Sequence, residues 1–219
     1  MARRIAHLTL DNLHDLPVAC QGCVFWELDP VRRERAIAAD ENAHEKESWV
    51  SHVLLEWGSC GRIAYVDGDP AGYVLYAPPL YVPGSHAFPT APASEDAVLL
   101  MTAMVYPEYA DAGLGRVLVQ NVAKDLIKRG GIRAIEAFGD LKPPKQGYGG
   151  CILPADFLLR VGFKTQRSHP RYPRMRLELK SVLTWREEVE AALEKLVGVV
   201  RPRPVTPAAE RHGRPPRSL

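Results

Sequence analysis

No apolar run in this sequence approaches the roughly 18 uninterrupted residues that a membrane-spanning helix needs. The opening residues, MARRIAHLTLDNLHDLP, turn polar too early for a secretory signal, so a cytoplasmic protein is expected. Cysteine is scarce. Four residues, Cys20, Cys23, Cys60 and Cys151, are too few for a disulfide scaffold in a chain of 219. Charge of one sign is missing as well. The formal net charge is +2, and five arginines against the single acid Glu210 stand after Val200, which leaves the body with 23 basic and 25 acidic residues. A nucleic-acid interface therefore has no electrostatic argument in the body. No internal repeat is present, and there is no Gly-Lys-Ser/Thr to make a nucleotide P-loop.

Apolar periodicity supplies the elements. RIAHLTL alternates as a half-buried strand does, and LDNLHDLP makes a short helical turn stopped by Pro17. A longer helical stretch runs from Pro30 to a stop at Gly58, with a break expected near Asp40 to Ala43. Two strands flank DGDP as a hairpin in which Gly68 takes positive φ, and a proline-rich loop covers Leu80 to Asp96. AVLLMTAMVY suits a central strand covered on both faces. A helix from Gly115 to Arg129 follows, with Leu118, Val119, Val122, Leu126 and Ile127 on one face and Gly130 as its stop. IRAIEAFG is a strand, ADFLLRVGF a short helix and RMRLELK a last strand. Beyond it, Thr184 and Glu187 form a capping box for an amphipathic helix whose stripe (Trp185, Val189, Ala192, Leu193, Leu196) must bury against the body or against a second copy in a homodimer. The division expected is residues 1–180 as one domain, 181–200 as that helix, and 201–219 as a disordered Pro/Arg-rich tail.

The turn ADAGLGR joins the central strand to the helix. Gly113 and Gly115 permit close backbone approach, the first helical turn carries no acid, and a helix N-terminus presents free N–H groups to an anion. By itself this is equally an ordinary tight connection. CQGC raises a different question: a CxxC is a redox pair or half of a zinc site. A thioredoxin-like pair opens a helix, whereas VFWE reads as extended, and the further ligands available, Cys60 and His44, show no spacing that argues for zinc. Small buried hydrophobes are the preferred reading, and no metal is expected.

Together, VYPEYADAGLGRVLV and FLLRVGF resemble two motifs of the GCN5-related N-acetyltransferase (GNAT) superfamily, over about residues 3 to 180. The resemblance implies an α/β fold with a mixed, twisted sheet and helices on both faces, and acetyl-CoA as co-substrate. Backbone groups at Met104 and Val105 would then pair with the pantetheine arm, and the N–H groups of Asp111, Ala112, Gly113, Gly115 and Arg116 with the pyrophosphate. The chemistry implied is direct attack of an amine, on a small molecule or a protein, at the thioester. A non-catalytic acyl-CoA-binding module is the alternative. This sequence departs from the family pattern at Ala110, where Arg or Gln is usual, at Leu158, where a tyrosine often protonates the leaving thiolate, and at Cys151, where an asparagine often stands. The strand AVLLMTAMVY holds no carboxylate, so a base must come from elsewhere; the candidates are Glu27, Tyr106, Glu136 and Tyr148.

Overall fold

The computed structural model describes residues 3–144 and 150–182. Tyr148, the expected C-terminal helix and the Pro/Arg-rich tail lie outside the described residues. Strands β1 (Arg3–His7), β2 (Gly61–Val66), β3 (Asp69–Ala77), β4 (Ala97–Val105), β5 (Ala134–Asp140), β7 (Lys164–Arg167) and β8 (Arg174–Glu178) line up in the order β1-β2-β3-β4-β5-β8-β7. The short β6 (Leu153–Pro154) pairs with the end of β5. β4 runs parallel to β5, and β5 to β6; the other pairs are antiparallel. The sheet is mixed, as the resemblance implies.

Two apolar cores cover the two faces. On one, α4 (Leu114–Arg129) buries Leu118, Val119, Val122 and Leu126 against Val74, Tyr76, Val98 and Leu100, and the short α5 (Ala155–Arg160) adds Leu158. On the other, α3 (Asn42–Trp57) buries Lys46, Trp49, Val50 and Val53, the i, i+3, i+4, i+7 spacing of one helix face. Trp49, Val50 and Val53 pack there with Ile63, Tyr73 and Leu99. The fourth member of that stripe, Lys46, is a cation. Helices α1 (Val18–Gln21) and α2 (Pro30–Ala38) precede α3 in the chain. The break expected between Asp40 and Ala43 separates α2 from α3. Asp29 Oδ1 caps α2 by accepting from the N–H groups of Val31 and Arg32, each at 3.0 Å, and Gly58 ends α3 in the left-handed region. No helix among the described residues is long and apolar enough to cross a membrane.

Three local readings differ from expectation. Residues 25–28 form a turn closed by Leu28 N–H on the Val24 carbonyl, where VFWE reads as extended. Burial of Trp26 and Leu28 came from curling back onto the core rather than from pleating. β7 has no apolar alternation at all, since all four of its residues are exposed on the sheet edge. Glu136 is neither solvent-facing nor free to act as a base. It is fully buried on β5, where it accepts from Ser94 N–H (3.0 Å) and Ser94 Oγ (2.6 Å) and pairs with Arg176 (3.1 Å) and Arg174 (3.5 Å).

Arg176 continues that network to both oxygens of Asp96 at 2.9 and 3.0 Å, which lowers the Asp96 carboxyl below its usual range and ties the entry of β4 to β8. Removing one partner of a buried charge cluster costs roughly 3–5 kcal/mol. Glu136→Gln is therefore expected to lower the melting temperature by roughly 10 °C in calorimetry. An unchanged melt would show that the cluster carries no stability.

Candidate functional site

The site begins where β4 leaves β5. Their ladder holds only Ala97, Val98 and Leu99 against Ala134, Ile135 and Glu136, yet β4 continues to Val105 and β5 to Asp140. On its other side β4 keeps β3 as far as Gly72 opposite Val105, with a register shift that leaves Met101 as an extra residue between Leu100 and Thr102. That bulge lets Met101 and Met104 pack with the α3-side core while Leu100, Ala103 and Val105 join the α4-side core. The diverging strands leave a cavity of about 400 Å³ lined by Thr102, Ala103, Met104, Val105, Gly150 and Ile152, among others.

At its outer end this cavity meets a second, of about 460 Å³, and the two share Ala103, Val105 and Pro154. The second cavity is built on the turn. Residues Pro107–Ala112 form a 3-10 turn, Gly113 takes φ +68°, and α4 starts at Leu114 with its first N–H groups at the cavity. Gly113, Gly115, Arg116 and Arg160 line it. A methyl group on Gly115 would stand 2.9 Å from the Phe157 ring. Arg116 also donates to the Arg160 carbonyl at 2.6 Å, so α4 and α5 jointly place two guanidinium side chains around one helix N-terminus. That arrangement suits a diphosphate.

At its inner end the β4–β5 cavity meets a third, of about 220 Å³, through Thr102, Met104 and Gly150. Cys20, Cys23, Trp26, Glu27, Lys46, Tyr73 and Cys151 also line it. Lys46, 2% exposed, forms an ion pair with Glu27, 3% exposed, and also donates to the Cys23 carbonyl at 3.0 Å. Glu27 Oε2 accepts the Trp26 backbone N–H at 3.1 Å. Trp26 in turn stacks on Phe88 (5.1 Å), which stacks on Phe138 (4.4 Å), so an aromatic column backs the carboxylate.

The acetyltransferase (GNAT) family model matches residues 23–143, more than half of the chain. The chain belongs to the GNAT acetyltransferase family. The same fold occurs in the PaiA N-acetyltransferase of Thermoplasma acidophilum in complex with coenzyme A, at 15% identity and a TM-score of 0.52 over 81% of this chain and 99% of that one. An N-acetyltransferase of Staphylococcus aureus Mu50 gives 12% and 0.52 over 82% and 99%. The aminoglycoside acetyltransferase AAC(6')-Ib in complex with coenzyme A gives 15% and 0.53 over 84% and 99%. These likenesses show the fold. No curated protein matches the sequence.

In this GNAT chain the residues singled out from sequence separate into groups. Met104 and Val105 lie on the β4 wall of the central cavity, and Gly113, Gly115 and Arg116 on the outer one. Asp111 and Ala112 end the 3-10 turn just before Gly113. Glu27 and Cys151 both line the inner cavity. Tyr106 donates its phenol proton to the Asp15 carbonyl at 2.7 Å, which fixes the end of β4. Glu136 is held by the arginine cluster at the other end of the strand. Leu158 is fully buried in the α4-side core. Sequence reasoning missed Arg160, whose signal was the cation in RVGF, and Lys46, whose signal was a charge on the apolar stripe of α3. It also missed the meeting of Cys23 with Cys151, for which no local signal exists.

A β-branched side chain at φ +68° is strained by about 1–2 kcal/mol or more, and the strain falls on the anion-facing turn. Gly113→Val is expected to weaken binding of coenzyme A by at least tenfold in calorimetric titration, with Gly115→Ala weakening it less. Unchanged affinity for Gly113→Val would remove the turn from the site.

Proposed function

We propose that this chain transfers acetyl from acetyl-CoA to a primary amine by direct attack of the amine on the thioester. The observation that carries the reading is the continuous line of three cavities. An outer cavity with two arginines and a helix N-terminus opens into a slot beside the unpaired edge of β4, and the slot opens into a small pocket holding a carboxylate. Arg116, Arg160 and the first N–H groups of α4 would hold the pyrophosphate. The β4 backbone from Thr102 to Val105, which has no ladder with β5, would pair with the pantetheine arm, and an N–H at Met104 or Val105 would stabilise the oxyanion that develops on the thioester carbonyl.

Glu27 is the base we assign. Of Glu27, Tyr106 and Glu136, the three candidates among the described residues, Glu27 is the one that lines the inner cavity, where its carboxyl group, paired with Lys46, can take the proton of the attacking amine through a water or directly. About 220 Å³ falls below the roughly 300–1,000 Å³ of pockets that take drug-sized ligands. The acceptor it fits is a single amine-bearing chain, either a small aliphatic amine or the end of a peptide side chain. No acid stands at Leu158, so the thiolate leaves unassisted by that position; proximity of amine and thioester supplies the larger part of the rate.

The test uses acetyl-CoA with a panel of small aliphatic amines and lysine-bearing peptides, read as release of free coenzyme A. Replacing one member of a buried ion pair destabilises, while replacing both by residues of similar volume is often neutral. The Glu27→Gln, Lys46→Met double variant is therefore expected to melt near the parent temperature and bind coenzyme A as the parent does. It should nevertheless turn over roughly 10²–10⁴-fold more slowly. Full turnover in a folded double variant would exclude Glu27 as base, and tight binding of acetyl-CoA by the parent without discharge to any amine would overturn the transferase reading.

A further inference from the structure

Two sulfurs in the inner cavity have no part in the transfer step. Cys23 Sγ and Cys151 Sγ stand 3.1 Å apart although 128 residues separate them, which is closer than ordinary non-bonded contact. Cys23 follows α1 and Cys151 precedes β6, so the contact joins two opposite walls of the cavity. Hydrogen bonds to backbone carbonyls fix both walls, and one of them runs between the walls. Asn42 Nδ2 donates to the Gly22 carbonyl at 2.9 Å and Lys46 Nζ to the Cys23 carbonyl at 3.0 Å, while Trp26 Nε1 donates to the Cys151 carbonyl at 2.6 Å. Both cysteines are half-buried, within reach of a small reagent.

The two sulfurs are chemically unequal. Hydrogen bonding from the Cys151 thiol, helped by the Phe25 N–H, outweighs burial and lowers the Cys23 thiol to about 6. The hydrogen bond to Cys23 and burial push the Cys151 thiol upward, so the two sulfurs share one proton across their contact. An attacking thiolate beside a protonated partner is the arrangement that thiol–disulfide exchange requires. The other cysteines are set apart from it. Cys20, the first member of CQGC, is raised by burial and bonds Tyr73. Cys60 is fully buried and pushed up to about 12.

We propose that Cys23 and Cys151 form a thiol–disulfide exchange site whose reactant is a low-molecular-weight disulfide and whose oxidised form is a Cys23–Cys151 bridge across the inner cavity. In the first step the Cys23 sulfur attacks one sulfur of the reactant RS–SR, forming Cys23–S–SR and expelling RS⁻. In the second, Cys151 loses its proton and attacks the Cys23 sulfur, forming the bridge and expelling the other RS⁻. The pair gives up two electrons, the reactant disulfide gains them, and the two released thiolates take up the two protons that the cysteines lost. The bridge joins the α1 wall to the β6 wall at the pocket that holds Glu27. If that pocket admits the amine, as proposed above, the oxidised chain is closed to acceptors while the coenzyme end of the cleft stays open.

The full-length chain is equilibrated with graded mixtures of oxidised and reduced glutathione, quenched by alkylation and mapped by peptide mass spectrometry. The expected product is the Cys23–Cys151 disulfide, formed ahead of any linkage to Cys20 or Cys60. Cys151→Ser is expected to stop at glutathione on Cys23. A Cys20–Cys23 bridge as the main product, or four intact thiols in oxidised glutathione alone, overturns the proposal. The same samples are assayed for acetyl transfer and for coenzyme A affinity. Oxidation is expected to lower transfer at least tenfold, reversibly, and to change the affinity less than twofold. A bridged chain with full transfer activity leaves the exchange site standing and overturns the reading of the inner cavity as the acceptor route.

Discussion

The fold depends on a broken ladder. β4 and β5 share only three register pairs, and from Leu99 onward β4 must satisfy its β5-facing backbone groups in some other way. An internal strand with an unpaired edge is costly, because each buried unpaired N–H or C=O forfeits its hydrogen bond. What maintains the opening is the load on either side: β3 holds β4 to Val105, β6 and β8 hold β5, and α4 and α5 close the α4-side core beneath them. The bulge at Met101 belongs to the same constraint. It adds a residue just where β4 must turn its later side chains toward the gap. The outer and inner cavities, with Gly113 and Glu27 in their walls, open from the two ends of this gap.

The inner pocket depends on a buried charge pair placed in an apolar stripe. Lys46 takes a position on α3 that Trp49, Val50 and Val53 would lead one to fill with a hydrophobe. Burying an ammonium there is tolerable only because Glu27 neutralises it and the Cys23 carbonyl accepts a further hydrogen bond. One lysine thus pairs with the carboxylate and positions the Cys23 backbone together. A hydrophobic replacement of the pair would serve stability as well, so stability alone gives no reason for its presence; the function proposed above, with a carboxylate in the inner pocket, does.

Much of the framework was legible in residues because local rules governed it. Pro30, Gly58, Gly68 and Gly130 mark ends and turns whose backbone requirements few other residues meet, and the stripe of α4 is plain in the 3.6-residue period. The glycine turn before α4 takes its proposed reading only jointly with the later FLLRVGF motif, since a glycine turn before a helix has many uses. β7 was illegible because an exposed edge strand needs no apolar alternation. Glu136 was misplaced for the opposite reason: its partners, Arg174, Arg176 and Ser94, come from 38 to 42 residues away, and nothing beside it in the chain announces them. CQGC suggested a local pair, but Cys20 sits on a short helix and bonds Tyr73, and the sulfur that Cys23 meets comes from 128 residues along the chain.

The departure at Leu158 also fits this geometry. Its side chain belongs to the α4-side core with Leu118, Val122 and Phe163, so a tyrosine there would have to leave the core or bury a hydroxyl in it. The chain has kept α5 as a packing element, with Phe157 against Gly115 and Arg160 beside Arg116, and has placed no acid at that helix position. A thiolate is a far weaker base than an amide or alkoxide, so the barrier to its departure is low, and the demanding proton transfer is the one from the amine. The protein's ionisable groups are distributed accordingly. Cations gather at the outer cavity, where the proposed transfer needs charge held, and the carboxylate stands at the inner one, where that proposal needs a proton removed.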